Sequence, residues 1–280
     1  MRIAMLVLAH KNLEQLRSLC ERLGPDFEVF VHIDAKTPFG PADLTDIPNV
    51  HAFKIHRVSW GSLAMVRATL DLLKLAAPFG FQRFVLISGQ DHPIKTNEEI
   101  LDFYKRHPNI NFVQALNLRD WDRGGLERVT HWHIRSPLGT TGLMRLALEV
   151  VGAALSKLQY LSRYSRTLPW EFYCGPQWID ITAETASAIL ALVETRPEFL
   201  SRFKGTTCAD EIFFQTAINL LGLQGTCSPA QTRYIDWTSG PEYPRTLCLE
   251  DLQNLRSSPA LFARKFDANV DPAILDALKQ

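Results

Sequence analysis

The sequence predicts an α/β fold in which a mostly parallel sheet is flanked by helices. The first 116 residues alternate apolar runs of strand length with segments of helical apolar spacing, a βαβαβ rhythm. The runs at 3–9 and 83–89 are continuously apolar, as strands buried on both faces require. No self-similarity at a fixed spacing points to a repeat architecture.

Taken in order, residues 3–9 form the first strand. Leu13, Leu16, Leu19, Cys20 and Leu23 then recur at helical spacing. Residues 28–34 (EVFVHID) read as a second strand, 63–76 (LAMVRATLDLLKLA) as a helix and 83–89 (RFVLISG) as a third strand. Thr96-Asn97-Glu98-Glu99 is a capping box opening a short helix to about Arg106. A strand follows at 111–116. The second half is less regular. Residues 141–166 read as a long helix or a broken helical pair, 175–182 as a strand, and a helix runs from Ala183 to before Pro197. A further helix at 210–221 opens with two acids, as a helix N-terminus favours. LFARKFD at 261–267 and a terminal helix complete the chain.

The 280 residues suffice for a large core, and we read them as a single domain. It divides at residue 116, where the regular alternation of strand and helix signals ends. Apolar residues make up 46% and charged residues 21%, values of a soluble globular protein. Thirty basic residues balance thirty acidic ones, which argues against a nucleic-acid partner. The N-terminal apolar run is too short for a membrane span. The five cysteines are odd in number and lack a C-x-x-C, so reduced thiols are expected. One charge asymmetry stands out: between Arg128 and Trp170 there are six Arg or Lys and a single acid, Glu149. It fits either a solvated helix face or contact with an anionic acceptor or membrane surface.

Ligands of parallel sheets bind beyond the carboxyl ends of the strands. Those ends carry Ala9-His10, residues 32–36 and residues 88–95. Asp34 there either accepts hydrogen bonds from a ribose or nucleobase or caps the next turn. Metal ligation finds little support. The only D-x-D is Asp120-Trp121-Asp122, in an Arg-rich loop, and His131-x-His133 lacks the spacing of a helical metal pair. G-x-S-x-G and G-x-x-x-x-G-K-[ST] are absent, which removes the serine-hydrolase and P-loop readings. In Asp210-Glu211, one acid can serve the helix N-terminus while the other faces a cleft.

These segments together resemble the core-2/I-branching glycosyltransferases, which include β-1,6-N-acetylglucosaminyltransferases and peptide O-xylosyltransferases. The motifs occur in the family's order: VLAHKN at 7–12, HIDAKT at 32–37, VSWGSLAMVRATLDLL at 58–73, SGQDHPIKTN at 88–97, G-x-Q-W at 175–178, DEIFFQT at 210–216 and LFARKFD at 261–267. The resemblance implies a GT-A fold and inverting transfer of N-acetylglucosamine from UDP-GlcNAc to a glycan hydroxyl, with no metal or other cofactor required. UDP-xylose is the alternative donor, and a non-catalytic glycan-binding protein the alternative class. It places Glu211 as catalytic base and Arg245 and Lys265 on the diphosphate. His10, Asp34 and Trp60 fall at nucleotide-binding places, and Asp91, Trp178, Trp237 and Arg128 at substrate-binding ones; the resemblance thus makes 1–116 the nucleotide-binding half and 117–280 the acceptor-binding and catalytic half. The animal relatives carry a membrane anchor and disulfides. A chain opening on its first strand is therefore expected to be a bacterial-type cytoplasmic enzyme. Its basic 143–166 stretch could rest on the inner membrane beside a lipid-linked glycan acceptor.

Overall fold

The computed structural model describes residues 1–121, 125–134, 142–239 and 243–278. Asp122 of the D-x-D triplet, Arg135 of the basic stretch and Thr141 lie outside the described residues.

Strand β1 (Ile3–Ala9) is buried at every position but Leu8, as its unbroken apolar run demands. Helix α1 (Leu13–Leu23) returns over the sheet on Leu16, Leu19, Cys20 and Leu23. After β2 (Glu28–Ile33) and β3 (Val50–Phe53), α2 (Leu63–Ala76) begins where the Ser62 hydroxyl accepts the Ala64 N–H. Strands β4 (Arg83–Ser88) and β5 (Asp91–Pro93) precede α3 (Asn97–Arg106). This helix opens on the expected capping box. Glu99 N–H donates to Thr96 Oγ1 at 3.1 Å, and Thr96 N–H to the Glu99 carboxylate at 2.7 Å. Then come β6 (Asn111–Phe112), β7 (Leu116–Asn117), α4 (Glu127–Thr130), α5 (Gly142–Leu161), β8 (Tyr173–Cys174) and β9 (Asp180–Thr182). Helices α6 (Ala183–Thr195), α7 (Pro197–Arg202) and α8 (Phe213–Leu220) follow. The chain ends through β10 (Cys227–Ser228), β11 (Arg233–Ile235), α9 (Leu252–Ser257), β12 (Phe262–Arg264) and α10 (Pro272–Leu278).

The main sheet has the order β10-β6-β9-β4-β1-β2-β3. Its pairs are parallel except those of β9, which runs antiparallel to β4 and β6. Val7 sits level with Val31 on one side and Ile87 on the other. One face packs on α2, α6 and α8 through Val66, Ile189 and Phe214; the other packs on α1 and α3 through Leu16 and Ile100. The fold is thus the α/β class expected, a mostly parallel sheet covered on both faces. Strands of both halves share that sheet, since β9 and β10 come from beyond residue 116.

A second sheet, β11-β12-β5, sets Arg264 opposite Asp91 and so joins LFARKFD to SGQDHP. Between the sheets lies a buried polar knot. The Asp180 carboxylate accepts from the Tyr104 hydroxyl at 2.8 Å and the Thr232 hydroxyl at 2.6 Å, and pairs with Arg233 at 2.5 Å. Buried charges persist only with such partners.

Three expectations are corrected. The 111–116 run is two short strands, β6 and β7, paired in different sheets. Of 175–182, only Asp180–Thr182 is strand: the chain leaves β8 in one sheet, passes Pro176, which lacks an N–H to pair, and enters the main sheet at Asp180. The 210–221 helix starts at Phe213; its two acids lie in a preceding 3-10 turn, Ala209–Glu211.

His32, on β2, is buried, accepts the His56 N–H at 3.0 Å on Nε2 and stacks on the His56 ring. Burial, and then His56, press its pKa from 6.5 down to about 4. The unfolded chain therefore takes up this proton first. Stability is intact above pH 6.5 and falls as pH drops toward 4, by about 3 kcal/mol in all. Urea unfolding across this range should show the loss, and His32→Gln should flatten it.

Candidate active site

The carboxyl ends of β1 and β2 open on a cavity of about 510 Å³ lined by His10, Lys11, Asn12, Leu13, Pro38, Phe39 and Asp43. Three motifs meet beside it. Lys11 pairs with Asp267 at 2.6 Å, and Asn12 donates to the other Asp267 oxygen at 2.7 Å. Gln15 donates to the carbonyls of Gly89 and Phe266, and Phe266 N–H donates to the Gln90 carbonyl. Residues 7–12, 88–93 and 261–267 therefore form one wall.

Asp34 is buried at the end of β2. Its Oδ1 accepts the N–H groups of Lys36 and Val58 at 3.0 and 3.2 Å, and its Oδ2 lies 3.4 Å from Lys36 Nζ. It ties two loops of the cavity rim together. Asp91 is also buried: it accepts the Ser88 N–H and stands 3.1 Å from Arg264. The Arg264 guanidinium lies 4.0 Å over the Trp178 ring. Asp91 and Trp178 thus grip Arg264 from two sides, and Asp91 acts by placing that cation.

Lys265 is next along the chain. Its Nζ lies 5.6 Å over the Tyr243 ring, which in turn meets Trp60 at 5.9 Å between centroids. Burial, with Lys11 and Arg264 adding to it, lowers its pKa. Lys11 and Arg264 are already paired with Asp267 and Asp91, so Lys265 carries the net positive charge of this group.

Trp60 leads into Gly61, whose positive φ of 66° and contact with Cys208 leave no room for a side chain: a Cβ would stand 3.2 Å from Cys208 Sγ. Ala209 N–H donates to the Gly61 carbonyl. This contact carries the chain from Trp60 to Glu211. The Glu211 side chain is one-third exposed and meets Arg128 Nη2 at 2.5 Å. Its neighbour Asp210 is buried, so the two acids do point in different directions.

The Glu211 carbonyl accepts the Gly175 N–H at 2.9 Å. A Cβ on Gly175 would stand 2.0 Å from the Gln114 carbonyl oxygen, so only glycine permits this approach. Gly175→Ala is expected to cost about 1–3 kcal/mol by forcing β7 and β8 apart. A thermal melt of the variant measures it.

Arg245 is engaged elsewhere. Its Nε donates to Asp236 at 2.8 Å and its Nη2 meets Asp251 at 2.5 Å. The backbone keeps it near Lys265, since Leu247 N–H donates to the Lys265 carbonyl. Trp237, half exposed, follows Asp236 directly. The structure therefore joins Glu211 to Arg128, and Trp60 to Lys265 through Tyr243. The Arg245 guanidinium sits in a carboxylate clamp. Sequence reading missed Tyr243 and Lys11. Lys11 was visible in VLAHKN; nothing around Tyr243 marked it. Among the described residues, no group of three or more His, Cys, Asp or Glu is gathered to hold a metal ion.

Comparison with known proteins adds a family to this geometry. The profile of the family described as Core-2/I-Branching enzyme matches residues 3–256. The N-acetyllactosaminide β-1,6-N-acetylglucosaminyltransferase of Homo sapiens is 24% identical over 303 residues, covering 99% of this chain and 71% of that protein. Xylosyltransferase 2 of Homo sapiens is 22% identical over 310 residues, and the chain spans 33% of its length. Among solved structures, a glucose-1-phosphate thymidylyltransferase from Bacillus anthracis aligns over 81% of this chain and 85% of its own. Its TM-score is 0.36 and its identity 12%.

Proposed function

The chain belongs to the Core-2/I-Branching enzyme family and is a glycosyltransferase; from that premise we propose that it moves N-acetylglucosamine from UDP-GlcNAc to a glycan hydroxyl with inversion and without a metal. The observation that carries this reading is the Arg128–Glu211 pair: a carboxylate one-third exposed and held by Arg128, beside the loop that leads, through Trp60 and Tyr243, to Lys265.

Each part then has a task. The Glu211 carboxylate takes the proton of the acceptor hydroxyl as its oxygen bonds to the anomeric carbon. One base suffices, since a single displacement needs no carboxylate nucleophile. The bond from the anomeric carbon to the diphosphate oxygen breaks, and its electron pair stays on UDP. Lys265 neutralises that charge where a metal ion otherwise would. Arg245 joins it by exchanging a carboxylate for the diphosphate, which suits its bidentate fork. The cavity beyond β1 and β2 suits the nucleoside, with His10 in its lining; Trp60, beside Tyr243, serves the Lys265 side.

Xylose is the second reading, because relatives of both donor types match the whole chain. UDP release from UDP-GlcNAc and UDP-xylose, with glycan acceptors, tests both. Faster release from UDP-GlcNAc and a β-linked product, read by NMR, are expected. An α-linked product contradicts inversion, and preference for UDP-xylose installs the second reading.

A further inference from the structure

Helix α5 stands on the molecule by a narrow stripe. Leu148, Gly152, Leu155 and Gln159 are its partly or fully covered positions, and Gln159 bonds both the N–H and the carbonyl of Trp132. At 100° per residue, the neighbouring arc of roughly 120° carries Leu143, Val150, Val151, Leu158 and Leu161. All five are more than half exposed, Leu143 at 86% and Leu161 at 67%. Most of the exposed large apolar side chains of the described chain fall between Trp132 and Tyr164. A soluble monomer rarely shows such a contiguous apolar face. The charges Arg145, Glu149 and Lys157 keep an exposed face of their own beside this apolar arc.

We infer that α5 lies in the interface of an anionic lipid surface, with this apolar arc turned toward the acyl chains. Two observations favour lipid over a second protein copy. Lys157 borders the arc and Arg163 follows the helix, while Glu149, the only acid of the helix, is taken by Arg145 at 2.7 Å. A second copy of this face would bring further cations and no acid but the already paired Glu149, whereas anionic headgroups complement Lys157 and Arg163. Exposed Tyr160 stands on the helix, and exposed Trp132 and Tyr164, hydrogen-bonded to each other, stand by its covered stripe at Gln159; these are the aromatic types that settle at headgroup depth. No helix among the described residues is long and apolar enough to cross a membrane, so α5 lies along the surface. Arg166 N–H donates to the Thr130 carbonyl, which ties the docked segment to the turn that carries Arg128. An acceptor glycan carried on a lipid would be met there. That consequence rests on the glycosyltransferase reading; the docking itself does not.

Flotation of the full chain with vesicles tests the docking. Binding to phosphatidylcholine vesicles containing phosphatidylglycerol is expected, with at least about a tenfold weaker response to phosphatidylcholine alone. Val151→Glu with Leu158→Glu should abolish binding. Lys157→Glu with Arg163→Glu should remove the preference for the anionic lipid. Both changes fall on exposed positions, so unchanged thermal melts are expected. Absence of binding to either vesicle overturns the inference, as does a concentration-dependent dimer that Leu158→Glu dissociates.

Discussion

Glu211→Gln is expected to lower kcat by about 10²–10⁴ while leaving UDP binding within a few-fold of the parent. The amide keeps the size and one acceptor oxygen but cannot take the proton of the incoming hydroxyl. Its partner shares the consequence. Arg128 is mostly buried and would lose its carboxylate, so a loss of thermal stability of about 1–3 kcal/mol should accompany the variant. Calorimetric titration with UDP separates chemistry from binding: a variant that is inactive because it no longer binds UDP would remove Glu211 from the role of base.

Lys265→Ala is expected to cost about 10²–10³ in kcat, the loss seen when one group stabilising a developing negative charge is removed. UDP affinity should fall with it. The pH profile carries a second signature. Burial and the nearby Lys11 and Arg264 lower the Lys265 pKa, so on raising pH this lysine sheds its proton before an ordinary lysine does. UDP binding should weaken over the same interval, and Lys265→Arg should hold it level, since a guanidinium keeps its charge. Arg245→Ala should add a loss of folding stability, because Asp236 and Asp251 both lean on that guanidinium.

What the sequence made legible follows from how local each signal was. The bounds of β1, α1, α2 and α3 are readable because burial on both faces, helical spacing or a capping box lies within the segment itself. β3 is a short edge strand (VHAF) of half-buried residues with no alternation to announce it. β5, β11 and β12 exist only through pairing between distant segments, which no local pattern encodes. The site divides in the same way. The proposed roles of Glu211 and Lys265 come from motifs. The grip of Asp91 and Trp178 on Arg264 and the clamp on Arg245 depend on tertiary neighbours. Arg128, which the resemblance placed toward the acceptor, also pairs with the proposed base, a contact that only the fold reveals. For α5, the sequence revealed the helix and its charge, whereas the side left bare could be read only once the covered stripe was known.

Turnover of UDP-GlcNAc in excess EDTA bears most directly on the idea that side chains, rather than an ion, carry the charge of the departing diphosphate. The rate should match that in magnesium or manganese, and should collapse in Lys265→Ala under both conditions. A parent enzyme silenced by EDTA and restored by a divalent cation would contradict the account.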